Sequence, residues 1–509
     1  MHRLKLPSVL LSLAAALLAA PAVRADSELD TLNRAIEDYN DGKNGKAALG
    51  FYKVEETATV EDNRFKAEYY LAQSLNKVGL GFGAFFYYGQ IIKAGPGHPY
   101  YFKAIEGALN VTEAYNDEVL GPNVLNKAYN EQFARLPAEA LSKINYYIAL
   151  LGYRGGRYAE AEQFLQGVPP ESTAYANGLY LSGLLAQRSD PEKAIKLFKS
   201  IESLDEGRGE SKGYHGLAEA KELANLALGR TLYGMRRYQE SADAYARLPR
   251  FSRHWDEALF EGAYADLLND DVGSALGRLH SLHSPHLSDE FAPESINLAA
   301  IIYYQNCLWP QVRETLARFD RDYLTARNDI KRVLESNPPL EQFWLLVNGD
   351  AAGLPAALKH FLQKNERIGS MLGYIARLDK EAARIKDDQA ISKDALGADL
   401  LDLLGKQRAL VVQVAGKFIK GRLTDIQRLL TVLDGDKLII GFETTKGEKE
   451  FLESKVNVGA RLAAQKLLRP PMPESGHEYW PFDGEYWPDE IGYYKYTLKN
   501  ACPLRKKDE

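Results

Sequence analysis

The chain has 509 residues, 45% of them hydrophobic and 26% charged, with a formal net charge of −6. That is ample apolar material for a large core, and a charge too mild and too mixed for a nucleic-acid or anionic-membrane binder. The only cysteines, Cys307 and Cys502, exclude a disulfide-framework protein.

Residues 1–25 read as an export leader. "MHRLK" supplies a positive start, "VLLSLAAALLAA" a short apolar run, and Val23 and Ala25 the small residues of a cleavage site before Asp26. The run is shorter than the roughly 18 residues that a membrane span needs, and no later stretch reaches that length. The expectation is a mature chain in the periplasm, with no transmembrane segment. No cysteine stands just after the cleavage site, so no lipid anchor is expected. Losing Arg3, Lys5 and Arg24 takes the net charge to about −9.

Next comes a repeat of about 34 residues. In residues 67–96, Ala72, Gly79, Ala84, Tyr88, Ile91 and Pro96 stand at positions 8, 15, 20, 24, 27 and 32 of one unit. Small residues at 8 and 20 let two antiparallel helices approach closely. Large residues at 24 and 27 fill the space toward the next unit, and Pro ends the second helix. The frame recurs with Ala149, Gly156, Tyr158, Ala161, Leu165 and Val168, then with Ser182, Ala194, Phe198 and Ile201. Gly229, Tyr238, Ser241, Tyr245 and Leu248 follow, then Ala263, Ala275, Leu279 and Leu282. The last unit holds Ala300, Trp309, Val312, Leu316 and Phe319, and a degenerate first one Ala35, Ala47 and Phe51. Residues 116–137 and 205–220 interrupt the array and read as irregular or extra helix.

After "ESNPPLEQF" (335–343) the frame is lost. Apolar residues at helical spacing run from Leu354 to Ile385 and again from Leu400 to Leu433, separated by "KDDQAISKDALG". This predicts a long antiparallel helical hairpin. In 434–453, Leu438, Ile440 and Phe442 alternate as in a strand while the flanks are helical; the reading leans to helix. "RPPMPESGHEYWP" then breaks regular structure. The expected domains are thus a leader (1–25), a repeat array (26–333), a hairpin (340–455) and an extended aromatic tail (456–509).

No catalytic constellation stands out, so no enzyme activity, cofactor or metal is expected. "GRGESKG" (207–213) lacks the spacing of a phosphate-cradling loop and reads as a loop. His280, His283 and His286 invite a metal reading, but Pro285 breaks the helix between the last two and no carboxylate or Cys completes a ligand set at close spacing. They read instead as the polar end of a repeat helix. Cys307 falls at position 15 of its repeat, and Cys502 ends the aromatic tail. If the tail folds back the two meet, closing a loop that would constrain the unfolded chain by about 4–5 kcal/mol in the entropic treatment; otherwise they are two free thiols. An oxidising compartment permits the bond. The tail repeats Glu-Tyr-Trp-Pro and carries Tyr479, Trp480, Tyr486, Trp487, Tyr493 and Tyr494. These rings serve an intramolecular strap, a ligand for a partner or a sugar-stacking platform, with the strap favoured because exposed rings invite aggregation.

The repeat residues resemble the tetratricopeptide superfamily over roughly 28–330, which implies an all-α solenoid that binds proteins and no enzyme activity. Together with the leader, the hairpin and "FDGEYWPDEIGYYKYTLKNAC", the chain also resembles periplasmic repeat proteins of myxobacteria and their relatives, some of which belong to gliding-motility machinery. The resemblance implies a scaffold that joins other envelope proteins through its repeat groove and hairpin, with no nucleic-acid partner. The rival expectation is a periplasmic assembly factor or chaperone for outer-membrane proteins.

Overall fold

The structure, a computed structural model, describes residues 28–117, 120–205, 216–349, 353–453, 466–468, 486–498 and 500–502. Residues 1–25, the 207–213 stretch, Tyr479 and Trp480 lie outside the described residues. The fold is an all-α, tetratricopeptide-type solenoid followed by a helical hairpin and a tail. By its internal contacts it divides into two compact units, one built on residues up to Tyr175 with Gly373–Val411, the other on most of the remainder.

The first unit pairs α1 (28–40) with α2 (Asn44–Thr57), α3 (Glu61–Lys77) with α4 (Gly81–Ala94), α5 (Tyr101–Ala114) with α6 (Leu120–Ala128), and α7 (Ala138–Arg154) with α8 (Tyr158–Leu165). The second pairs α9 (Tyr175–Ala186) with α10 (Pro191–Glu202), α11 (Leu217–Gly234) with α12 (Tyr238–Ala246), α13 (Trp255–Leu268) with α14 (Val272–Leu282), and α15 (Pro293–Gln305) with α16 (Trp309–Phe319).

One device ends most of the first helices. Gly42, Gly79, Asn116, Gly156, Arg236, Asp270 and Cys307 all adopt left-handed φ, between 50° and 77°. The residue after each then bonds back to a carbonyl five positions earlier, as Leu80 N does to Leu75 O (2.9 Å) and Leu308 N to Tyr303 O (3.0 Å). This is the Schellman closure, which satisfies orphan carbonyls at the helix end. Asp117 N bonds to Thr112 O in the same way (3.0 Å). The stretch from 116, read from sequence as an interruption, therefore begins with the turn of a further pair, α5/α6. Its second helix does carry a small residue in frame, Gly121, packed against Thr112, but the first helix has Leu109 where the frame expects a small residue. The pair α9/α10 replaces the turn with a cap: Asp190 accepts from Lys193 N (3.0 Å), ahead of Pro191 in the first helical turn.

The small-to-large pattern packs as its spacing requires. Ala72, Ala84, Ala149, Ala161, Ala263, Ala275 and Ala300 are fully buried, and so are Tyr88, Phe198 and Phe319. Gly229 faces the Tyr245 ring so closely that a β-carbon would stand 2.6 Å from it.

Two features of the first unit come from the hairpin, whose arms are α20 (Glu366–Asp387) and α21 (Ala395–Glu453). Buried Glu381 on α20 accepts from Phe82 N (2.9 Å) at the start of α4, satisfying a helix-terminal donor. Burial pushes its carboxyl up to about 7, against the opposing pull of the Phe82, Gly83 and Gly81 N–H groups. The Arg384 guanidinium donates to Val78 O (3.0 Å) and Gly79 O (3.1 Å).

In the second unit α16 runs through a π turn (Asp320–Leu324) into α17 (Thr325–Ser336), followed by α18 (Leu340–Asn348) and α19 (Ala356–Lys364). The first hairpin arm, expected as one run from Leu354, is therefore divided at Asn365. There the Asn365 side chain accepts from Ile368 N (3.3 Å) as α20 begins. Phe319, Ile330, Phe343, Leu358, Ile368, Ile419 and Leu430 make the core of this region. Residues 434–453 are helical and complete α21. Leu423, Ile426, Leu430, Leu433, Thr444 and Phe451 are buried, at the three- and four-residue steps of a helix face.

Candidate functional site

The described tail lies across α14 and its neighbours. Ile491 and Tyr494 are buried among Tyr245, Trp255 and Leu282. Two glycines on α14 make the approach possible: a β-carbon on Gly277 would collide with the Tyr494 carbonyl, and one on Gly273 with that of Tyr496. One turn further along α14, Gly492 N donates to Ser281 Oγ (2.8 Å). At one end Arg250 donates to Pro488 O (2.9 Å) and Asp489 O (2.8 Å), and its guanidinium sits over the Tyr493 ring (5.1 Å). At the other end Ala501 N donates to Asn306 O (3.0 Å), and Cys502 forms a disulfide with Cys307, Cα atoms 5.0 Å apart. Backbone pairing is antiparallel between Lys466–Leu468 and Lys495–Thr497, with Leu467 opposite Tyr496.

His280 is the hub of this contact. Its ring stacks on Tyr486 (centroids 4.8 Å, 24° between planes) and meets the Tyr494 ring edge-on (4.8 Å, 85°). Burial first, then the Arg318 charge, pushes its imidazole down to about 4. His283 instead bonds to Ser295 Oγ (2.7 Å), and His286 to Tyr486 O (3.1 Å). The three histidines face different partners, and among the described residues no cluster of His, Cys, Asp and Glu could hold a metal ion.

The tail aromatics thus divide. Tyr494 is buried and Tyr486 half-buried, while Trp487 (47% exposed) and Tyr493 (56%) face solvent. Sequence reasoning named His280 only as part of the polar end of a repeat helix, and it missed Gly273 and Gly277. The signal available was a glycine pair one helical turn apart on α14, followed by a histidine on the same helix.

A second feature of this unit lies where α11 and α13 face α19–α21. Lys364 bonds to Asp256 (2.9 Å) and Glu290 (2.8 Å), Arg253 donates to Lys364 O (3.1 Å), and Asn297 on α15 donates to Leu433 O (3.0 Å). Arg230 grips Glu257 (2.7 Å) and Glu261 (2.6 Å), whose carboxylate also accepts from Tyr245 (2.9 Å). These bonds leave a cavity of about 330 Å³. On these repeats the chain's own helices pack against α11 and α13.

On α21 the opposite holds. Val432 (56% exposed), Leu438 (66%), Ile439 (62%) and Phe442 (68%) fall within about a third of the helix circumference. Gly435 lies in the same stripe, with nothing within 4 Å of a β-carbon placed on it.

No family model and no curated protein matches the chain. Solved structures that are similar to it include a Rap protein complexed with competence and sporulation factor (10% identity, 76% of this chain and 99% of that one, TM-score 0.28). Others are the TPR domain of P58(IPK) (15% identity, 75% and 99%, TM-score 0.19) and a monomeric mutant of IFIT1 with m7Gppp-AAAA (12%, 77% and 80%, TM-score 0.23). The class assignment rests on the chain's own repeated helix pairs: this is an α-solenoid carrying a helical hairpin and a disulfide-tethered tail.

Proposed function

We propose that the protein is a non-enzymatic interaction scaffold, exported to the bacterial periplasm, that holds another envelope protein against α21. The observation that carries this reading is the exposed stripe Val432, Leu438, Ile439 and Phe442. Exposed apolar side chains grouped this way mark interaction surfaces, and Gly435 gives a partner helix room to approach. The occupant is an apolar helix, the motif that packs onto a complementary helical stripe. Export is supported by the leader-like first 25 residues and by the Cys307–Cys502 bond. A gliding-motility complex is the finer setting suggested by the sequence resemblance.

The test places a photo-crosslinking residue at Phe442 and irradiates native envelopes. One or two discrete, near-stoichiometric adducts are expected, lost when Leu438 and Ile439 become Ser at unchanged melting temperature. A weak ladder of many unrelated adducts would replace the scaffold with the chaperone reading. Absence of the chain from periplasmic fractions would overturn the export assignment.

A further inference from the structure

The cavity of about 330 Å³ in the second unit is walled by α11, by the start of α13, and by α19 and α21. The last two helices lie across the repeats there, so the space suits a small molecule rather than an extended chain.

Most of its charges are answered within the fold. Arg230 bonds to Glu257 (2.7 Å), Lys364 to Asp256 (2.9 Å) and Arg253 to Glu219 (3.4 Å). Arg422 on α21 is the exception. No carboxylate among the described residues pairs with it, and its Nε is buried without a hydrogen-bond partner.

A second atom is orphaned in the same wall. His254, which precedes α13, has a side chain only 16% exposed. Its Nδ1 faces Glu257 (3.9 Å), and its Nε2 is buried with no partner among the described residues. The carboxylate holds the proton of the neutral ring on Nδ1, so Nε2 presents a lone pair and lacks a donor. Buried polar atoms of this kind cost free energy unless a water or a ligand satisfies them. One orphan is a donor on a cation, the other an acceptor, and both residues line one space.

The charge of the wall narrows the ligand further. Glu219, Asp256, Glu257 and Glu366 line the cavity, and Glu261 and Glu290 bond to Arg230 (2.6 Å) and Lys364 (2.8 Å). Carboxylates therefore outnumber the cations Arg230, Arg253, Lys364 and Arg422, which disfavours a simple anion. A molecule with one charge of each sign avoids that penalty. Leu223, Leu226, Phe361 and Leu362 supply an apolar side to the same space.

We infer that this cavity binds a free α-amino acid with an apolar side chain. Its carboxylate would lie on the Arg422 guanidinium, its ammonium would donate to His254 Nε2, and its side chain would rest against Leu223 and Phe361. The inference goes beyond the α21 stripe and does not depend on it, because Arg422 lies outside that stripe.

The experiment titrates the full chain with L-leucine and L-phenylalanine, read by calorimetry and by the shift in melting temperature. Two leucine analogues are titrated alongside: isocaproate, which lacks the ammonium, and isoamylamine, which lacks the carboxylate. One or both amino acids should bind, and each analogue should bind about tenfold more weakly than leucine, or worse. Arg422→Gln should weaken the amino acid about tenfold, and His254→Phe about threefold. Since Arg422→Gln removes a charge that has no partner, its melting temperature without ligand should match that of the wild type. Arg428→Gln, at a side chain 74% exposed on α21 and outside the cavity, should bind as wild type. No binding of either amino acid at millimolar concentration would overturn the inference and leave the orphaned atoms to water. So would an analogue that binds as tightly as leucine, or equal affinity in Arg422→Gln and wild type. The analogue comparison uses the unmutated chain, so it decides the matter even where a variant fails to fold.

Discussion

The Tyr496 hydroxyl and His280 Nδ1 lie 2.9 Å apart across 216 residues of sequence. The contact joins the tail to the middle of the array, at an imidazole that burial keeps neutral.

This makes docking of the tail sensitive to acid. Burial and Arg318 hold His280 near 4, and burial, Arg318 and His280 hold His283 near 3. The unfolded chain binds these protons near pH 6.5, so it takes up more of them than the fold does below that value. The stability involved is intact above about pH 6.5 and is lost as the pH falls toward 4. At about 1.4 kcal/mol per decade, His280 alone withdraws about 3 kcal/mol. Hydrogen exchange of residues 486–502 should show protection falling across that window, and His280→Asn should remove the inflection.

The glycine track on α14 gives a steric prediction with an internal control. Gly277→Ala would drive a methyl into the Tyr494 carbonyl and should cost about 1–3 kcal/mol in urea unfolding, as overpacking does. Gly435→Ala, on an open helix face, should stabilise by about 0.5–1 kcal/mol. Equal effects of the two changes would contradict the docked tail.

The Cys307–Cys502 bond closes a span of 195 residues. Replacing both cysteines with Ser should lower stability by about 2–5 kcal/mol. Peptide mapping of the protein without reductant should recover the two cysteine peptides joined.

Arg236 is exposed and left-handed, with φ of 60°. A side chain in that conformation costs about 1–2 kcal/mol, which glycine avoids at some entropic expense. Arg236→Gly should therefore raise stability by about 0.5–1 kcal/mol, read as a higher calorimetric melting temperature.

The repeat array was legible because its determinants are local. Ala72 and Ala84, or Ala263 and Ala275, announce a close helix crossing within one unit, and Gly79 or Gly156 announces the turn between its helices. The α5/α6 pair was harder to read, since Asn116 does the work of glycine and Leu109 stands where the frame expects a small residue. Along 434–453 the buried face passes through Lys437, Thr444 and Gly447, which no hydrophobicity pattern counts. Lys437 reaches that face by pairing with Asp434 (2.8 Å) and Asp320, and Gly447 by packing under Trp309.

The sequence by itself determined an all-helical chain of repeated pairs, because the period and the small-to-large alternation act between residues close in sequence. Only the tertiary structure decided where the tail lies, which face of α21 stays exposed, and that His254 and Arg422 share a cavity. Those pairings join residues far apart in sequence, and their partners are ordinary polar, small or charged residues until folding brings them together.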